Sequence, residues 1–325
     1  MEIPQPSEGD IDIGRPMMVI IWTLYGITIV VVAIRLYVQA RITRRLGLGD
    51  AMMVLSVASG LGLCALLTVQ RHYGLGRHFF FLDPHQRIMA LKYNFIGQPF
   101  GIMGPSFGRM ACVMLMLQLF GTTKWRRRGL WFLFWESLVV NTITIVLIYV
   151  QCEHVQSLWD PIGHPGRCWS PKVQEIVGFV QGGLNSAVDL VLTIMPATIF
   201  WKLQISTRLK VGLVILLGLS IFAFVACVIK TVLLQALGDR GDFTFNTVSF
   251  FIWVVVEGAL VSIAASVPLI RPLFLRIKRG KSSKDNKSYE MHPYTHSSRY
   301  VAGASIKGAQ LLRSIDEDGI NNDSK

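Results

Sequence analysis

Residues 211–229 read VGLVILLGLSIFAFVACVI, with no charged side chain among them. A helix that crosses the hydrocarbon core of a bilayer needs about 20 predominantly apolar residues. Its backbone N–H and C=O groups find no water there and must bond within the segment. Residues 18–34 (MVIIWTLYGITIVVVAI) and 258–270 (GALVSIAASVPLI) are equally free of charge. A soluble domain would interrupt such stretches with polar faces. Working outward from these three gives seven apolar stretches: 17–37, 51–69, 89–120, 129–150, 173–200, 209–237 and 248–275. The third is longer than a straight crossing requires. Its first turns, near Lys92, are expected outside the hydrocarbon, or the helix is tilted. The fold class read here is all-α, a seven-transmembrane-helix bundle over residues 17–275. A short segment, 1–16, precedes it and a tail, 276–325, follows.

Composition agrees. The chain of 325 residues is 52% hydrophobic and 16% charged, with a formal net charge of +12. That charge content is well below the roughly 25% of soluble domains. A basic balance can indicate nucleic acid. Here many cations flank apolar spans, where they act as topology signals and lipid contacts, so no nucleic-acid partner is expected. One set of links carries Arg41, Arg44 and Arg45, then Lys124, Arg126, Arg127 and Arg128, then Lys202, Arg208 and Lys210, then Arg276, Lys278, Arg279 and Lys281. The other set carries scattered cations mixed with acids. Basic links stay cytosolic, so the N-terminus is expected outside or in a lumen and the C-terminus in the cytosol. The location expected is a multi-pass one, in the plasma membrane or an endomembrane. Residues 1–12 are acidic and the first apolar run is too long for a signal h-region, so no cleaved signal peptide is expected. The tail is rich in Ser, Lys, Asn and Asp and cannot bury enough surface to fold alone, so it is read as disordered. Its Lys278, Arg279, Lys281, Lys284 and Lys287 suit either anionic lipid or plain solvation.

Of five cysteines, Cys64, Cys112 and Cys227 fall within helices and read as small apolar packing residues. Cys152 and Cys168 share one outer loop, in an oxidising compartment, which makes a disulfide between them the expectation. His72, His78, His85, His154 and His164 also lie on the outer side. They show no helical ligand spacing and read as polar loop residues, with no metal expected.

Ionisable side chains inside hydrocarbon are costly, and each is a site candidate. The candidates are Arg109 on the third helix, Glu136 on the fourth, Asp189 on the fifth, Lys230 on the sixth and Glu257 on the seventh. Counting residues from the helix ends places Lys230 and Glu257 together in the outer half. The same count places Arg109 and Glu136 together in the inner half. Asp189, one turn after Asn185, stands near mid-depth without an evident partner. Asn185 and Asp189 complete the candidate set, as members of a ligand site or of fasteners between helices. The third helix also holds Gly97-Gln98-Pro99-Phe100-Gly101 and Gly104-Pro105-Ser106-Phe107-Gly108. Their glycines permit close helix approach and their prolines free carbonyls for other donors, so a kinked helix at the bundle centre is expected. The second spells G-x-S-x-G. That motif has meaning only at a strand-to-helix turn, so Ser106 is read as a packing residue.

The order and spacing of several short motifs carry a resemblance. They are Arg35-Leu36-Tyr37, Leu46-Gly47-Leu48-Gly49-Asp50, Gly74-Leu75-Gly76-Arg77-His78, Cys152, Leu158-Trp159-Asp160, Cys168, Asn185, Asp189, Pro196, Leu203-Gln204, Arg208, Lys210, Trp253, Glu257, Pro268 and Arg271-Pro272-Leu273. Together they resemble the fungal rhodopsin-like integral membrane proteins, the family that includes the membrane protein of the satratoxin gene cluster. The family usually has two acidic residues and an aromatic where this chain has Asp50-Ala51-Met52. It usually has lysine where Arg109 stands and arginine where Lys230 stands. Charge is kept at both helix positions. No cysteine-rich extracellular domain precedes the bundle, which weakens the implied receptor role. The family name suggests retinal. A retinal Schiff base needs a lysine in the last helix, and 248–275 contains none, so no chromophore and no other cofactor is expected.

Three functions are weighed. One is a receptor-like sensor of a small ligand, with a cytosolic protein partner at the basic loops. One is an accessory membrane protein of a fungal secondary-metabolite pathway, which the resemblance implies, holding or moving a pathway intermediate. The alternative is an intramembrane cyclase or other enzyme using a buried carboxyl group as general acid. Asp-Asp-x-x-Asp and His-Glu-x-x-His are both absent, so the two non-catalytic roles stand ahead of the enzyme.

Overall fold

The computed structural model describes residues 12–44, 46–121, 123–161, 163–201, 207–238 and 243–285. Seven α-helices follow one another: α1 Gly14–Tyr37, α2 Leu48–His72, α3 Pro84–Phe120, α4 Lys124–Val150, α5 Pro171–Trp201, α6 Thr207–Gly238 and α7 Phe243–Asp285. Each covers one expected stretch, with ends shifted by five residues or fewer except at the end of α7, which runs ten further. There is no β-strand among the described residues. Helices α1 to α5 and α7 each hold a stretch long and apolar enough to cross a membrane, and α6 is apolar over Gly218–Leu234. The chain divides into two compact units, Met1–Ile277 and Lys278–Lys325. Helix α7 continues to Asp285, into the segment read as tail. Extending an existing helix fixes one residue per hydrogen bond, without the cost of a new nucleus. Arg45, Lys202 and the tail from 286, including Lys287, lie outside the described residues.

Helix α3 is the centre of the bundle, as its glycines suggest. It starts at Asp83, whose N–H is accepted by Gln86 Oε1 at 3.2 Å, with Pro84 in the first turn, where a missing N–H costs nothing. Gly104 and Gly108 are the contact points. A Cβ on Gly108 would lie 2.9 Å from Val261 Cγ1 of α7 and 3.3 Å from Ser56 Oγ of α2, and one on Gly104 would lie 3.7 Å from Ser59 Cβ. Ser56 also donates to the Gly104 carbonyl at 2.7 Å. Pro99 cannot donate to the carbonyl of Phe95, four residues earlier. The Tyr149 hydroxyl of α4 donates to that carbonyl at 3.0 Å. The helix stays continuous through both prolines.

Two apolar clusters fill the interior. One joins Met17, Ile21 and Tyr25 of α1, Leu63 and Leu67 of α2, and Val248, Phe251, Val254 and Val255 of α7. The other joins Val32, Met53, Ala111–Val113, Met116, Leu130, Val188, Leu192, Ala264 and Ala265. Along α7, Glu257 falls between the residues of the two clusters.

The loops close the ends. Gly74 and Gly76 both have positive φ, 103° and 95°, which explains the glycines of the Gly74-Leu75-Gly76-Arg77-His78 motif. Gly76 accepts from Ile13 N at 3.1 Å, and its own N–H donates to the Thr244 carbonyl at 3.2 Å. The loop thereby ties the starts of α1 and α7. The expected disulfide is present, Cys152 to Cys168, with Cα atoms 4.0 Å apart. Backbone bonds from Trp169 to Gln151 (2.8 Å) and Glu153 to Arg167 (3.1 Å) flank it.

At the other end, sequence reasoning missed a buried ion pair. Arg35 Nε and Nη2 donate to Asp50 Oδ1 at 3.2 and 3.1 Å, and Nη1 donates to the Ala265 carbonyl of α7 at 3.0 Å. Asp50 Oδ2 accepts the Gly47 N–H at 3.2 Å at the start of α2. One guanidinium thus joins α1, α2 and α7. Removing one member of a buried pair strands the other charge, at about 3–5 kcal/mol. Asp50→Asn is expected to lower the thermal midpoint and membrane yield sharply, and Arg35→Met with Asp50→Asn to recover most of both. Thermal unfolding of detergent-purified protein measures this.

Candidate functional site

Four of the six expected polar residues converge in one buried cluster on four helices. Arg109 of α3 makes a two-point contact with Asp189 of α5: Nε donates to Oδ1 at 2.8 Å and Nη2 to Oδ2 at 2.9 Å. Nη2 also donates to Glu257 Oε1 of α7. Lys230 Nζ of α6 donates to Glu257 Oε2 at 2.6 Å. Arg109, Asp189 and Glu257 are buried and the Lys230 side chain is 12% exposed. Two cations and two carboxylates sum to zero. Every carboxylate oxygen accepts from a cation, which is the condition under which buried charge is tolerated.

The pairing of Lys230 with Glu257 agrees with the sequence reading. The pairing of Arg109 with Glu136 does not, and Asp189 is not partnerless. Arg109 turns to α5 and α7, because two carboxylates there neutralise it together with Lys230. Glu136 stays on a half-buried part of α4. Its Oε2 accepts from Ser137 Oγ at 3.5 Å, and its Oε1 has no hydrogen-bond partner. The division into an outer and an inner pair is likewise corrected, since Arg109 and Lys230 share Glu257.

Asn185 belongs to an adjoining network that the sequence reading did not assemble. Asn185 Nδ2 donates to Asn141 Oδ1 of α4 at 3.2 Å, and Asn141 Nδ2 returns a bond to Asn185 Oδ1 at 3.2 Å. Gln181 Nε2 donates to Asn141 Oδ1 at 2.8 Å. Asn141 Nδ2 reaches the Ser137 carbonyl at 2.6 Å and Ser106 Oγ at 3.3 Å. Ser106 is fully buried and donates to the Ser137 carbonyl at 3.1 Å, in keeping with its reading as a packing residue. A signal for part of this network was present: Gln181, Asn185, Asp189 and Thr193 recur every four residues on α5, one face of one helix. Cys227 lies at the edge, 3.8 Å from Arg109 Nη2. Asp189, Cys227 and Glu257 offer ligand atoms within 4.8 Å of one another. The ammonium and guanidinium already occupy their oxygens, so this geometry is that of an ion-pair cluster. Cys64 and Cys112 are buried free thiols in the packing, as read.

The fold and site together define a helical membrane protein with a self-neutralised ionic core. The fungal rhodopsin domain model matches residues 34–276, so the chain belongs to that family, and every member of the cluster falls within the match. Two curated relatives are similar. The protein named fugralins biosynthesis cluster protein 2, from Gibberella zeae, is 22% identical over 189 residues, 55% of this chain and 46% of that protein. A polyenoic acids biosynthesis gene cluster protein from Metarhizium anisopliae is 25% identical over 294 residues, 81% of this chain and 75% of that protein. The chain thus spans about half the length of the first and three quarters of the second. No solved structure matches.

The ledger of charge generates a direct expectation. Glu257→Gln leaves Lys230 without a carboxylate and should destabilise by about 3–5 kcal/mol, whereas Lys230→Met with Glu257→Gln removes opposite charges and should fall within about 1–2 kcal/mol of the wild type. Thermal midpoints of the purified variants in one detergent check the order. A double variant less stable than Glu257→Gln alone would show that Lys230 is not neutralised by Glu257.

Proposed function

We propose that the chain is a multi-pass accessory membrane protein of a fungal secondary-metabolite pathway, with its N-terminus outside and its C-terminus in the cytosol. It holds a small pathway molecule against the polar core of the bundle. The pathway assignment is supported by the names of its two curated relatives, both drawn from biosynthesis clusters. The orientation is supported by the basic links. The observation that carries a binding role over catalysis is that all four oxygens of Asp189 and Glu257 accept from Arg109 or Lys230. A general acid needs a proton to give at the reacting atom, and no oxygen of this set is left to carry one. The cluster instead offers exchangeable charge. An anionic group on a ligand can take over part of Arg109 or Lys230, a polar one can enter the amide network of Asn141, Gln181 and Asn185, and α3, α5, α6 and α7 then adjust together. Retinal is not part of this proposal, because α7 has no lysine across residues 248–275.

A receptor-like sensor is the second reading. It is favoured by the same linkage, since helices that share one cluster transmit a shift of any one of them to their ends. The two differ in what the cell loses. Deleting the gene in its native fungus is expected to abolish or reduce one secondary metabolite, and the wild-type gene to restore it. The Lys230→Met, Glu257→Gln variant is expected to reach the membrane in normal amount and to fail to restore it. Full restoration by that variant would remove the cluster from the function. Unchanged metabolite levels together with a lost transcriptional response would favour the sensor.

A further inference from the structure

A second polar feature lies away from the cluster, at the start of α4. Lys124, Arg127, Arg128 and Trp131 line a shallow, open recess on the surface of this helix. They stand at helical positions i, i+3, i+4 and i+7, so one face of one helix carries all four. The three cations are exposed, and none has an ion-pair partner among the described residues. The sequence supplies none nearby, because no acidic residue occurs between Asp83 and Glu136. Arg41 and Arg44, in the other described link at this end, add positive charge, and Asp50 is already bonded to Arg35. The surroundings are those of a bilayer boundary. Trp125 is 80% exposed, Phe132 69% and Trp135 55%. Tryptophans gather at the headgroup level, and aliphatic and Phe side chains face the chains below it.

We propose that this recess binds the headgroup of a multiply charged anionic phospholipid, of the phosphorylated inositol class, from the adjoining leaflet. Three cations on one helix face without counter-charge match a headgroup bearing several phosphate charges better than one bearing a single net charge, and arginine pairs with phosphate at two points. The Trp131 ring provides the apolar wall on which a sugar ring or glycerol can rest. The proposal rests on the multi-pass reading, which puts the start of α4 at a membrane surface.

The test uses the full-length protein in phosphatidylcholine nanodiscs doped with a phosphatidylinositol phosphate or with phosphatidylserine, and counts retained lipid by native mass spectrometry. The expected result is retention of the inositol lipid over phosphatidylserine. A Lys124→Gln, Arg127→Gln, Arg128→Gln variant should weaken that retention roughly tenfold or more, given the per-cation attraction to anionic lipid. The comparison variant Lys278→Gln, Arg279→Gln, Lys281→Gln, in the tail, should retain it. Equal retention by the α4 variant, equal retention of phosphatidylserine, or loss only in the tail variant overturns the proposal. So does binding of soluble inositol trisphosphate as tight as that of the lipid, which would identify a free phosphate ligand. If the triple variant does not accumulate, Lys124→Gln and Arg128→Gln are measured singly, and unchanged retention in both overturns the proposal. Release of the protein from native membranes by alkaline carbonate would refute the multi-pass reading separately, without any lipid measurement.

Discussion

A guanidinium buried among seven apolar helices has to be neutralised where it stands, and the arrangement of this bundle follows from how Arg109 is neutralised. One carboxylate would balance its charge. Two converge on it, Asp189 and Glu257, and the surplus is balanced by Lys230. The requirement for zero net charge therefore recruits a fourth helix. Helix α3 supplies the cation, α5 and α7 the anions and α6 the second cation. Small residues on α3 let α2 and α7 pack close against it. The Arg35–Asp50 pair solves the same problem at another level and brings in α1 and α2. Buried pairs of this sort add little net stability compared with apolar packing. They penalise misplaced helices heavily, because a wrong register strands a charge.

Much of this fold was legible in the residues. The uncharged runs marked the helices, since hydrocarbon tolerates few other backbones. Their shared loop between α4 and α5 marked Cys152 and Cys168. Lys230 and Glu257 could be paired because sequential antiparallel helices place them at similar depth. Arg109 was misassigned for a definite reason. Helix α3 has 37 residues, far more than one crossing needs, so a depth counted from its ends carries no fixed meaning. Glu136 looked like its ion-pair partner by that count, and the structure places the direct contacts of Arg109 on Asp189 and Glu257 instead. Arg35 was visible as a motif but not as a buried charge, because its partner Asp50 sits across a turn whose geometry the sequence pattern does not specify. The amide network required knowing that α4 faces α5 through Asn141.

The family match and the two biosynthetic relatives add context to a site that is first a piece of electrostatics. A closed set of ion pairs is a poor proton donor, because each carboxylate oxygen already accepts from a cation. This separates the ionic core from the cations at the start of α4, which have no ion-pair partner among the described residues.

The central claim is that Arg109 is neutralised by Asp189 and Glu257 and not by Glu136. Double-mutant cycles test it most directly, combining Arg109→Met in turn with Asp189→Asn, Glu257→Gln and Glu136→Gln and reading stability in a single detergent. The account predicts coupling energies of roughly 1–3 kcal/mol with Asp189 and with Glu257, the range for residues in one ion-pair network, and additive behaviour with Glu136. Coupling of that size with Glu136, and additivity with Asp189, would contradict it.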